Sequence, residues 1–75
     1  MKAYKDKHGK TILPGMMIRH DSGRTEKVFY TQNIGTGELD LGYLATNPAY
    51  LRNHPNCEPE YYTLNYLDLK EWEVV

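Results

Sequence analysis

Apolar and polar positions alternate through most of this chain, and Gly, Pro, Asn and Asp interrupt the alternation at short intervals. That pattern belongs to short strands joined by tight turns. Asp6-Lys7-His8-Gly9-Lys10 reads as a turn with Gly where φ can turn positive, and Thr11-Ile12-Leu13 begins an extended stretch. Pro14-Gly15 is a second turn, followed by a strand over Met16 to His20. Asp21-Ser22-Gly23-Arg24 closes that strand. Thr25 to Thr31, rich in β-branched and aromatic types, is the clearest strand and pairs back as an antiparallel hairpin. Asn33 to Glu38 is a loop around Gly35 and Gly37. In Leu39 to Ala45 a period of two puts Leu39, Leu41 and Tyr43 on one half-buried face. Tyr61 to Leu64 is extended again, Tyr66 to Leu69 fits either a 3₁₀ turn or a strand, and Glu71 to Val75 is a final strand with Trp72 and Val74 on one face.

Thr46 to His54 departs from the β pattern. Asn47 is a good helix N-cap, and Pro48 stands where the missing N–H costs nothing because first-turn donors have no intrahelical partner. Pro55 stops continuation. The result is one short helix near residues 48–54, with Tyr50 and Leu51 as its buried side, held by tertiary contacts because so short a helix is marginal alone. Together these elements predict a mainly β fold, either a small SH3-like barrel or a strongly bent antiparallel sheet of four to five strands. An open antiparallel sheet with the helix packed across one face is the other arrangement the pattern allows.

Composition narrows the class. Residues 1–75 are expected to form a single domain. Leu, Ile, Val and Phe number only 15, so seven Tyr, one Trp and three Met must supply the rest of the apolar bulk. The formal net charge of −1 argues against disorder. No apolar run is long enough to span a bilayer, no signal peptide is evident, and the single cysteine, Cys57, suits a reducing, cytoplasmic compartment. Charge is uneven. Residues 1–30 carry seven Lys/Arg (Lys2, Lys5, Lys7, Lys10, Arg19, Arg24, Lys27) against three acids, and residues 31–75 carry two against seven. Such asymmetry fits a basic face for nucleic acid, two mutually attractive halves, or an ordinary mixed surface.

Candidate chemistry is sparse. His20, Asp21, His54 and Cys57 are the residues that could assemble a transition-metal site, and His54-x-x-Cys57 has a ligand-like spacing. A structural zinc wants four ligands, however, and a second closely spaced pair is missing. No metal or other cofactor is expected. The competing reading has His54 capping the helix, Asp21 opening its turn and Cys57 exposed in a polar loop. No nucleophile elbow, P-loop, paired-histidine helix or dinucleotide fingerprint is present, so enzymatic activity is not expected. Six tyrosines from Tyr30 onward exceed what so small a core can hold, and adjacent Tyr61 and Tyr62 should point to opposite faces of a strand. Exposed tyrosines near arginines could stack bases or bind a peptide; equally, they could fill the core with their hydroxyls in water. The candidate binding surface is therefore Arg19, Arg24, Lys27, Tyr30, Tyr43, Arg52, Tyr61 and Tyr62.

At Asp6-x-His8-Gly9-Lys10-x-Ile12-x-x-Gly15-x-x-Ile18 the chain resembles the opening of YopX-like phage proteins. Thr11 stands where that family usually has Glu, and Met16 where it usually has Asp. Arg19-His20-Asp21-Ser22-Gly23-Arg24-x-Glu26-Lys27-Val28, Asn47-x-x-Tyr50-Leu51 and Glu60-Tyr61-Tyr62-x-Leu64 look similar to small proteins carried by phages and conjugative elements of Gram-positive bacteria. The resemblance implies a β-rich SH3-like fold and a mobile-element origin, and supplies no catalytic residues. The expectation is a non-enzymatic interaction module with a protein partner, engaged through an aromatic surface or an exposed strand edge. The alternative is a weak nucleic-acid binder using Arg19, Arg24 and Lys27 with a tyrosine platform. No membrane partner is expected, and self-association is open.

Overall fold

The computed structural model describes residues 3–75; Met1, and Lys2 of the basic N-terminal half, lie outside the described residues. Six short strands form: β1 (Met17–His20), β2 (Thr25–Lys27), β3 (Phe29–Gln32), β4 (Leu39–Leu44), β5 (Tyr61–Thr63) and β6 (Trp72–Val74). One helix, α1 (Pro48–Asn53), lies between β4 and β5, and two single-turn 3₁₀ segments, Leu64–Tyr66 and Leu69–Glu71, lie between β5 and β6. The strands make two three-stranded antiparallel sheets, ordered β2-β1-β6 and β3-β4-β5. No helix among the described residues is long and apolar enough to cross a membrane.

There are six strands rather than four to five because the run from Thr25 to Thr31 divides at Val28. Glu26 pairs with Ile18 in the first sheet, whereas Phe29 pairs with Gly42 in the second. Val28 is fully buried between them; its N–H donates to the Met16 carbonyl at 2.8 Å and its carbonyl accepts from Gly15 at 2.7 Å. One bent run thus passes from sheet to sheet, and the described hydrogen bonds close no barrel. The β1–β2 hairpin forms as the sequence predicts. His20 N–H donates to Arg24 O at 2.7 Å, and the turn needs Gly23 at φ 96°, a backbone region that side chains strain to adopt.

Thr11 to Leu13 makes only a bridge between Lys5 and Thr11, not a strand, yet Ile12 N–H donates to Tyr4 O and its side chain is buried. Tyr4, Ile12, Ile18, Val28, Leu41, Tyr43, Leu64 and Trp72 form the core. Leu39, expected on the buried face of β4, is exposed: it pairs with Gln32 beside the 33–38 turn, where the sheet has run past the core. The final strand does bury Trp72 and packs Val74 against the core.

The turn at residues 6–10 is built on a buried carboxylate. Asp6 Oδ1 accepts the N–H groups of His8 at 2.9 Å and Lys10 at 2.8 Å, and Oδ2 accepts Val74 N–H at 2.8 Å. Lys7 N–H donates to Trp72 O at 2.9 Å. Asp6 and Lys7 together cover the outer edge of β6, which would otherwise present unpaired groups to any passing strand. Principally the Val74 N–H, and then those of Lys10 and His8, hold the Asp6 carboxyl below the ordinary carboxylate range against the opposing effect of burial.

The helix has its predicted ends and not its predicted packing. Asn47 Oδ1 accepts Ala49 N–H at 2.8 Å with Pro48 next to it, and His54 caps the far end through its N–H to Tyr50 O at 2.9 Å. No residue of α1 is buried. Tyr50 stacks on the His54 ring at 4.1 Å instead of entering the core, and Leu51 is only half-buried. An open sheet with the helix laid across it is therefore not the arrangement.

Candidate functional site

Two surfaces collect the aromatic and basic residues. The first is centred on Arg24, which follows the β1–β2 turn. Its guanidinium lies 5.4 Å from the Trp72 ring centre and 5.9 Å from that of Tyr43, joining a strand of each sheet. From Tyr43 the aromatic contacts continue to Tyr62 at 6.5 Å and then to Tyr66 at 5.3 Å, while His20 meets Trp72 edge to face at 5.1 Å. The Tyr62 hydroxyl donates to Glu60, a bond that keeps its phenol protonated to higher pH. Burial pushes the Tyr43 phenol upward, partly opposed by the Arg24 charge. Tyr43 is only 5% exposed, so it is core and not binding surface. It sits near the C-terminal end of β4, where Tyr62 and Arg24 lie against it.

The basic candidates are neutralised or dispersed. Arg24 Nε pairs with Glu26 at 3.0 Å. Arg19 lies on the other face of β1 and donates to Glu73 through Nη2 at 2.7 Å, which with His8 holds the Glu73 carboxyl below its usual range. Lys7 pairs with Asp21 at 2.6 Å. Lys27, opposite Met17, and Arg52, in the last turn of α1, are exposed and belong to neither arginine's surroundings. Such exposed ion pairs add little stability, but each cancels a charge that phosphate contacts would need.

The second surface is the outer face of the β3-β4-β5 sheet. Gly42 lies mid-strand between Phe29 of β3 and Thr63 of β5. Phe29 and Tyr61 meet edge to face at 5.5 Å on this face, with half-buried Leu44 paired opposite Tyr61. A Cβ at Gly42 would stand 2.6 Å from the Tyr62 carbonyl oxygen and collide with Thr31 Cγ2, which is why the position has no side chain. Tyr61 is 39% exposed and Tyr62 turns to the opposite face, as their adjacency predicts. Tyr30, 46% exposed, borders a groove of about 210 Å³ with Leu13 and Pro14 on its rim and buried Ile12 and Leu41 at its base.

Sequence reasoning singled out Tyr61, Tyr62 and Tyr30 but passed over Phe29, Leu44 and Leu13. The isolated glycine in the β4 pattern was the available signal, because such a residue marks the close approach of a neighbour. The remaining candidates are occupied locally. His20 Nδ1 is 2.9 Å from Ser22 Oγ, His54 Nδ1 is 3.0 Å from Tyr50 O, and the exposed Cys57 thiol lies against Glu58 O. Among the described residues no three His, Cys, Asp or Glu side chains converge as metal ligands. Compared with protein-family models, curated proteins and solved structures, the chain matches none of them.

Proposed function

We propose that this chain is a non-enzymatic interaction module of a mobile genetic element. In this reading it binds a protein partner through its β3-β4-β5 sheet, and its two splayed sheets are an open form of an SH3-like barrel. One observation carries the proposal: on one face of this sheet Tyr61, 39% exposed, lies edge to face on Phe29, beside Leu44 and with both of those residues half-buried. Exposed apolar faces on small proteins mark interaction sites. The mobile-element origin rests on the YopX-like opening, whose Asp6, Gly9 and Gly15 all lie in the two N-terminal turns.

A ¹⁵N–¹H correlation spectrum, titrated with short single- and double-stranded DNA at low and moderate salt, tests the choice of partner class. The proposal expects no salt-sensitive shifts, since Arg19 and Arg24 already face carboxylates. Salt-sensitive shifts clustered on Arg19, Arg24, Lys27 and the nearby tyrosines would replace it with nucleic-acid binding.

A further inference from the structure

Antiparallel pairing leaves a definite set of backbone groups without partners. Asn33 N–H donates to Glu38 O at 2.8 Å, so Asn33 and Glu38 form a hydrogen-bonded pair at the end of the β3–β4 ladder. Such pairs alternate with non-bonded ones. In the observed register Thr31–Asp40 and Phe29–Gly42 are then the bonded pairs, and Tyr30 and Gln32 direct their N–H and C=O groups away from β4. The far side of β4 agrees. Ala45 N–H donates to Glu60 O, which turns the backbone of Tyr43 toward β5 and that of Gly42 toward β3. On the outer edge of the bent run, Val28 is satisfied by Gly15 and Met16, and the Tyr30 and Gln32 backbone groups meet no described partner. The β6 edge, by contrast, is covered by Asp6 and Lys7.

We propose that the β3 edge is a β-strand addition site: an extended peptide pairs with Tyr30 and Gln32 and places an apolar side chain in the groove between Leu13, Pro14 and Tyr30. Unpaired edge donors and acceptors require an extended backbone as their complement. A peptide residue opposite Tyr30 projects from the same face of the sheet as Tyr30 and Leu41, which is the face carrying the groove. The groove's 210 Å³ suits one branched aliphatic or aromatic side chain over Ile12 and Leu41. The ligand is therefore a short extended segment with an apolar anchor. This rests on the protein-binding reading and narrows it to one edge and one kind of partner.

The test selects a phage-displayed random heptapeptide library on the full chain and titrates a selected synthetic peptide into ¹⁵N-labelled protein. Tyr30 and Gln32 amides are expected to exchange at least tenfold more slowly in the complex. Gln32→Pro removes one outward N–H and no β4 hydrogen bond, a place where edge strands accept proline. It is expected to weaken binding about tenfold, and Leu13→Asp, an exposed change that leaves the backbone intact, is expected to do the same. Equal binding by both variants, or unchanged exchange at Tyr30 and Gln32, overturns the edge site. Shifts confined to Phe29, Leu44 and Tyr61 also overturn it while leaving the protein-binding reading standing. Protection that rises with the protein's own concentration instead assigns the edge to self-pairing and overturns the peptide proposal. No selected peptide, together with salt-sensitive DNA binding, overturns both readings.

Discussion

Asp6→Asn asks how much of this fold depends on one buried carboxylate. Asp6 is 7% exposed and accepts three backbone N–H groups, two on one oxygen and Val74 on the other. Asparagine keeps a single acceptor oxygen and turns an NH₂ toward whichever N–H has lost its acceptor. Hydrogen bonds to charged groups contribute about 1.5–3 kcal/mol each, and part of that is recovered when freed donors reach water, so the expected loss is about 2–3 kcal/mol. A domain of this size holds roughly 4–11 kcal/mol in all, and the loss corresponds to a fall in Tm of about 10–20 °C. The carboxyl is held low in the folded chain, so its stabilisation is complete above the unfolded value of about 3.9 and is lost as pH falls through the lower folded value. Thermal and urea denaturation of both proteins at neutral pH and in steps below pH 4 read these effects. The gap between wild type and Asp6→Asn is expected to be constant near neutrality and to close in acid. A Tm change of only a degree or two, or a gap that does not depend on pH, would refute the reasoning.

Gly42→Ala is expected to destabilise by about 3 kcal/mol or more, because the new methyl meets Thr31 and the Tyr62 carbonyl and can be admitted only by parting β4 from β5; a neutral effect in denaturation would show that the strands separate freely. Tyr4 donates to Asp40 at 2.7 Å, and burial together with that carboxylate pushes its phenol up to about 12. Ultraviolet titration should therefore find Tyr4 among the late tyrosinates, with Tyr43 and Tyr62, and Tyr4→Phe should remove one of them, with stability falling above about pH 10, where the unfolded phenol ionises first. Titration of every tyrosine near pH 10 in the folded protein would contradict it. Arg24→Ala removes the cation over Trp72 and Tyr43 and should cost roughly 1 kcal/mol, with a shift in the emission of the chain's one tryptophan. An unchanged spectrum would mean that Arg24 does not dwell over the rings.

What the sequence conveyed well were the places where local chemistry decides. The 6–10 and 21–24 turns, the Asn47-Pro48 helix start, the 33–38 loop and the opposite orientations of Tyr61 and Tyr62 all follow from residues within a few positions of one another. What it concealed was set by partners far along the chain. Val28 ends one strand and precedes the next because Met16 and Gly15 claim its backbone, and nothing in Thr25 to Thr31 signals that break. Leu39 fits the alternation of β4, yet the core ends before reaching it. Tyr50 looked like a helix anchor, but the nearby His54 ring takes its face. The candidate surface was legible in part for the same reason. Composition announces surplus tyrosines, and Glu26 stands two residues from Arg24, while the carboxylate opposite Arg19 comes into place only through the pairing of β1 with β6.

Residue-by-residue amide exchange of the free protein tests most directly whether the β3-β4-β5 sheet is open for a partner. The account predicts slow exchange at Phe29 and Thr31, which face β4, slow exchange at Val28 and Val74, which are capped, and fast exchange at Tyr30 and Gln32. Equal protection along the whole of Phe29 to Gln32 in dilute monomer would mean that the edge is already occupied, and would contradict the account.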